Sequence, residues 1–244
     1  MPEGPSIVIL KEAVQEFKGK KILAVSGNSK LDIKKLKGKT IIDFKTWGKH
    51  FLICCKDITV RIHLMMFGSY RINEAKENAT PRLHLQFKKG QLNFYTCSIK
   101  FIEEDLNTIY DWSADVMNPL WDDKAAKKKL KAANNLLACD ALLNQDIFSG
   151  VGNIIKNEVL FRTRIHPESF TNKLPAKKLN ELVKEAVHYS FQFLEWKKAF
   201  ELKKHWLAHT KKICPRDHIP FIKKHLGKTK RRSFYCESCQ LLYR

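Results

Sequence analysis

A multi-domain α+β chain is what this sequence predicts: a β-rich first half, built as a sandwich or barrel with flanking helices, then a helical second half and a small C-terminal module. Three observations lead there. Apolar residues recur with a period near two between Lys21 and Phe101. Beyond residue 122, helix formers dominate at three- and four-residue spacing. The last 35 residues set cysteines and a histidine in close pairs within a turn-rich, basic stretch.

The elements follow in order. Ile7, Leu10, Val14 and Phe17 mark one helical face over residues 6–17, just behind Pro5. Short strands are expected at 22–25, 40–46, 51–55, 58–64, 83–87 and 91–95, with turns at Lys56-Asp57 and Lys88-Lys89-Gly90. Closely spaced antiparallel strands suit a sandwich or barrel. Residues 111–121 are aperiodic and read as a linker. Helices are expected over 123–133, 136–147, 153–162, 175–194 and 197–209. The predicted division is therefore 1–110, a linker at 111–121, 122–208 and 209–244.

Composition narrows the function. Hydrophobic residues at 44% and aromatics at 11% exclude wholesale disorder. The longest apolar run, Phe51–Cys55, has five residues, against the roughly 20 that a membrane helix needs. Ile7–Leu10 is too short for a secretory segment, so the expectation is a cytoplasmic or nucleoid protein without a membrane partner. The formal net charge of +20 implies a polyanionic partner, with nucleic acid foremost. Between residues 200 and 244, twelve basic residues face three acidic ones. Seven cysteines, an odd number, argue against a disulfide framework.

Three constellations carry chemistry. Cys214-x3-His218 precedes Cys236-x2-Cys239 and can converge on a structural zinc; Asp217, at x2 spacing, competes with His218, which is preferred because nitrogen is the commoner partner of three thiolates. Between the pairs, a basic run from Lys223 to Arg232 followed by Phe234-Tyr235 suggests a β-hairpin pressed on phosphates. Ser149-Gly150-Val151-Gly152-Asn153 opens a helix with backbone N–H groups at its positive end, a phosphate-binding geometry in which Asn153 could also donate its amide. Finally, if Met1 is removed, Pro2 presents a secondary amine. Its pKa near 7.7–8.0 leaves roughly a tenth as free base at pH 7, able to condense with an aldehydic sugar carbon. Glu3 beside it is the candidate proton donor.

Taken together these segments resemble the Fpg/Nei family of DNA glycosylases. Pro2-Glu3-Gly4-Pro5, Gly48-Lys49-His50, His63 to Gly68, Gln145 to Asn153 running into Glu158–Phe161 and Ile165-His166-Pro167, and the closing Cys236-x2-Cys239-Gln240 fall in family order across the chain. The resemblance implies an N-terminal β-sandwich, a helix–two-turn–helix domain, a β-hairpin zinc finger with one structural zinc, and a monomer acting on DNA that contains oxidised bases or abasic sites. It implies Pro2 as nucleophile at C1′, Glu3 as general acid/base, and Lys49 beside the phosphates assisting lyase chemistry. Asn153 and Arg231 join Lys49 as a phosphate clamp, with Arg231 counted catalytic and preferred over Arg232 by its spacing of five before Cys236. Arg232 and Lys156 belong to the same DNA-binding set. Met65, Met66 and Phe67 align with the loop that fills the hole left by a flipped base.

The Nei-like branch, which mainly excises oxidised pyrimidines, is favoured by Pro-Glu-Gly-Pro, by the absence of an Arg-Phe wedge near Tyr95–Lys100, and by only 46 residues between Pro167 and Cys214. Ser6 departs from the acidic residue that many members carry there and leaves lesion preference open. The alternatives are an Fpg-type oxidised-purine glycosylase, or a non-catalytic damaged-DNA binder on the same scaffold.

Overall fold

The computed structural model describes residues 2–244; Met1, whose removal the Pro2 chemistry invokes, lies outside the described residues. Two compact units divide the chain, Met1–Tyr110 and Asp111–Arg244.

The first unit is a β-sandwich. Its strands are β1 (Ala24–Ser26), β2 (Asp43–Trp47), β3 (His50–Cys54), β4 (Thr59–His63), β5 (Ser69–Ile72), β6 (Leu83–Gln86), β7 (Gln91–Tyr95) and β8 (Ser98–Ile102). They form two antiparallel sheets of order β1-β6-β7-β5 and β2-β3-β4-β8. Helix α1 (Gly4–Ala13) lies against β2 and β3, placing Ile7 and Leu10 in the core. At the centre Phe51 stacks on Phe44 at 5.6 Å between ring centroids and meets Phe94 of the other sheet at 5.9 Å. Strands β5 and β8 were not foreseen. Each is only four or five residues long and carries a cation, Arg71 or Lys100, that interrupts the apolar alternation. A short helix, α2 (Leu106–Ile109), is capped by Asp105 and leads to the end of the unit.

The second unit is helical with an appended hairpin. Its helices are α3 (Asp123–Ala132), α4 (Ala138–Leu143), α5 (Asn153–Arg162) and α6 (Ala176–Lys198), followed by β9 (Ile222–Leu226) and β10 (Arg231–Tyr235). Asp122 caps α3 by accepting from the Lys124 and Ala125 N–H groups. Residues 111–121 are packed against this unit: Val116 is buried in the helical core and Asp115 bridges to Ser149.

The helix expected over 197–209 does not form. Helix α6 runs on to Lys198, Phe200 turns left-handed at φ +59, and only a 3-10 turn at Leu202–His205 follows. The reason lies elsewhere in the unit, in Glu158 of α5. Its carboxylate accepts the N–H groups of Leu207, Ala208 and His209 at 2.9, 2.9 and 2.7 Å. Those three donors cannot also close helical turns.

Phe51→Ala is expected to destabilise the first unit by about 3–5 kcal/mol, the usual cost of emptying a fully buried phenylalanine site. Urea unfolding should show a lower midpoint, and a loss below about 1 kcal/mol would mean the two sheets do not depend on this contact.

Candidate functional site

In the first unit Glu3 occupies the N-cap position of α1 and is fully buried, with its carbonyl accepting from Ser6 N at 2.8 Å. The positive end of a helix favours a negative charge there. Pro2, directly before it, is half-buried.

Lys49 is displayed by geometry that its neighbours dictate. Trp47 pairs with His50, leaving Gly48 and Lys49 as a two-residue hairpin loop. Gly48 takes φ +53, the positive value that a type II′ turn needs at its first loop position. Behind the tip, the His50 and His63 rings meet edge to face at 5.5 Å, with Trp47 and Tyr110 around His50. Burial, then the charges of Arg61, His63, Lys49 and Lys100, push His50 down to about 3. His63 is lowered too, by burial first and by Lys49 and Arg61 after it. The imidazoles therefore stay neutral beside Lys49, and no motif flagged that role for them.

The loop after β4 carries Met65, Met66 and Phe67 into solvent, at 52%, 44% and 80% exposure, so none of them belongs to the core. The Gly68 N–H closes the loop on the Leu64 carbonyl at 2.7 Å, and Met65 N donates to His63 Nδ1 at 3.1 Å.

In the second unit the glycine turn opens α5 as expected, braced by Gln145, whose Oε1 accepts from Gly150 N at 3.1 Å. Asn153 starts the helix, but its Nδ2 donates to the Arg232 carbonyl at 3.1 Å. Lys156 is not a surface phosphate ligand, contrary to expectation. It is fully buried, and its Nζ donates to Ser233 Oγ at 2.8 Å and to the Arg232 carbonyl at 3.2 Å. Asn157 donates to the same carbonyl at 3.3 Å and accepts from Phe234 N at 3.2 Å. With its backbone held this way, β10 leaves Arg231 and Arg232 exposed and buries Ser233, Phe234 and Tyr235.

Cys214, Asp217, Cys236 and Cys239 bring their ligand atoms within 4.8 Å of one another. Asp217 Oδ2 lies 3.4 Å from Cys214 Sγ and 3.1 Å from Cys236 Sγ. The Cys214 and Cys239 sulfurs are 3.9 Å apart, close to the roughly 3.8 Å tetrahedral edge set by a Zn–S bond near 2.3 Å. Burial, then the Asp217 carboxylate, pushes the Cys239 thiol up to about 12, a cost that a dication would reverse. Three thiols and a carboxylate fit zinc. His218, the ligand preferred from spacing, is not in the group: its backbone is left-handed at φ +57 and its N–H returns to Cys214 O at 2.9 Å, while the preceding side chain reaches the sulfurs. Beneath the cluster lie Phe161, Ala208 and Phe221.

Comparison with known proteins agrees with these parts. Residues 1–101 match the formamidopyrimidine-DNA glycosylase N-terminal domain, and residues 115–199 match the formamidopyrimidine-DNA glycosylase H2TH domain. Endonuclease 8-like 3 of Mus musculus is 29% identical over 204 residues, covering 80% of this chain and 34% of that protein. Endonuclease 8-like 2 of Bos taurus is 33% identical over 202 residues, covering 74% of this chain and 58% of that protein. The chain thus spans about a third of the length of the Endonuclease 8-like 3 proteins it matches. The fold is that of Lactococcus lactis formamidopyrimidine-DNA glycosylase, solved bound to DNA containing an abasic site, with a TM-score of 0.85 at 22% identity over 98% of this chain and 99% of that one. Among the described residues, no helix is long and apolar enough to cross a membrane.

Elemental analysis of the purified protein is expected to find one zinc per chain. Cys236→Ser and Asp217→Ala should each release it, and His218→Ala should keep it; the reverse order for the last two would return the fourth position to His218.

Proposed function

The chain belongs to the Fpg/Nei family of DNA glycosylases, and on that premise we propose that it excises oxidised pyrimidines from DNA and then nicks the abasic site. The observation that carries the reading is Glu3, a carboxylate wholly out of water at the positive end of α1 and adjacent to Pro2. A surface turn has no need to bury an acid there.

With Met1 removed, the Pro2 nitrogen lone pair attacks C1′ of the damaged nucleotide. The glycosidic C1′–N bond breaks and its electron pair leaves with the base, which takes up a proton. Glu3 takes up the proton that the Pro2 nitrogen sheds as it bonds to C1′ and delivers it to the ring oxygen as the sugar opens, giving an iminium ion between Pro2 and C1′. Loss of a C2′ proton then expels the 3′-phosphate by β-elimination, and water releases the remaining sugar aldehyde. Lys49 in the first unit, and Asn153, Arg231 and Arg232 in the second, take backbone phosphates. Met65, Met66 and Phe67 fill the gap in the base stack. Cys214, Asp217, Cys236 and Cys239 would hold zinc, which when bound would supply folding energy to the hairpin. The Endonuclease 8-like relatives and the short interval before Cys214 support pyrimidines as the lesion class.

Borohydride is expected to trap a covalent adduct on an abasic duplex, faster at pH 8 than at pH 6 because the nucleophile is the unprotonated amine with a pKa near 7.7–8.0. Undiminished trapping by Pro2→Gly would move the nucleophile elsewhere. Thymine glycol and 5-hydroxyuracil duplexes should be cleaved ahead of 8-oxoguanine; the opposite order favours a purine glycosylase.

Counting Lys49, Asn153, Arg231 and the lysines of the hairpin between Cys214 and Cys236, about six phosphate contacts predict a slope near −5 for log K against log salt. Arg231→Ala should make that slope shallower by about one unit, whereas Met66→Ala should leave it unchanged and slow excision. Equal effects on the slope would end the division between phosphate clamp and stacking wedge.

A further inference from the structure

The turn that joins β9 to β10 carries a contact that neither the metal cluster nor the α5 side chains account for. Asp140 sits on α4 and is only 7% exposed. Its Oδ2 accepts the Lys228 N–H at 2.8 Å, while its Oδ1 accepts the Thr229 N–H at 3.2 Å and the Thr229 hydroxyl at 3.1 Å. Gly227, at φ +69, approaches so closely that any Cβ there would run into the carboxylate. Hydrogen bonds to an ionised oxygen are about twice as strong as neutral ones, and this acid takes three from two consecutive residues. Register places the turn at the end of the hairpin away from the cysteines: Arg231 pairs with Leu226 beside it, and Tyr235 with Ile222 at the other end.

We propose that Asp140 is a positioning residue for DNA binding: by fixing the hairpin turn on α4, it holds Arg231 and Arg232 where the sugar-phosphate backbone passes, independently of the metal. The proposal rests on the reading of this hairpin as a phosphate-contacting element. Its charge makes the idea testable by sign. As a bare charge, an acid beside incoming phosphates opposes binding, so neutralising it would tighten the complex. As a clamp it supports binding, so neutralising it loosens the complex.

The test uses the full-length, zinc-loaded protein and a duplex carrying a tetrahydrofuran abasic analogue, titrated between about 50 and 200 mM salt. Asp140→Asn keeps the side-chain shape and removes the charge. Gly227→Ala opens the same contact from the opposite side and leaves the acid in place. Each is expected to weaken binding about 5- to 10-fold and to make the salt slope shallower by about one unit. The borohydride-trapping rate on a saturating abasic duplex should stay within about twofold, and the zinc content should be unchanged. The double variant should bind no more weakly than the weaker single one, since both changes break one contact. Binding by Asp140→Asn as tight as the parent or tighter overturns the proposal, as do additive losses in the double variant. Should Asp140→Asn fold poorly, unchanged affinity in Gly227→Ala overturns it alone. If the parent protein itself ignores the abasic duplex, the functional reading has failed.

Discussion

Lys156 sets the constraint on which the second unit turns, because an ammonium taken fully out of water must be met by oxygen. Two oxygens that it meets are the Arg232 carbonyl and the Ser233 hydroxyl, both on β10. Asn153 and Asn157 converge on the same carbonyl from the same helix. Side chains of α5 therefore determine where the hairpin backbone runs, and the hairpin's exposed arginines inherit their position from a buried lysine. Two residues beyond Lys156, Glu158 organises the segment that follows α6. Helix α5 is best understood as the scaffold for everything downstream of it.

Much of this architecture was legible in the sequence, and the parts that were not share a cause. Helix α5 spans the residues expected for it, 153–162, because a glycine turn followed by helix formers is a local signal. Strand β7 at 91–95 and the basic hairpin were equally local. The segment 197–209 misled because the competitor for its N–H groups is a carboxylate some fifty residues earlier in the chain. Lys156 misled because spacing says nothing about depth: a lysine three residues into a phosphate-binding helix looks like a ligand until its burial is known. Spacing alone also could not separate Asp217 from His218, since the left-handed backbone at 218 decides which side chain turns toward the sulfurs.

The first unit solves a different problem, which is to stay positive without depending on protonation. His50 and His63 are pushed down by burial and by the cations around them, so near neutral pH the field at the Lys49 hairpin comes from lysine and arginine alone. His50, held down near 3, adds no charge to that field across the range in which histidines ordinarily titrate.

The exposed loop after β4 carries a liability of its own. Met65 and Met66 are both exposed side chains, the Met65 sulfur lying 3.0 Å from His63 Nδ1, and peroxide converts thioethers to sulfoxides that are polar and chiral. In the stacking role proposed for this loop, a polar sulfoxide would suit a place between bases poorly, so oxidation of either methionine would weaken that role. Phe67, the most exposed of the three, lacks a sulfur and would keep the proposed role unchanged by such oxidation.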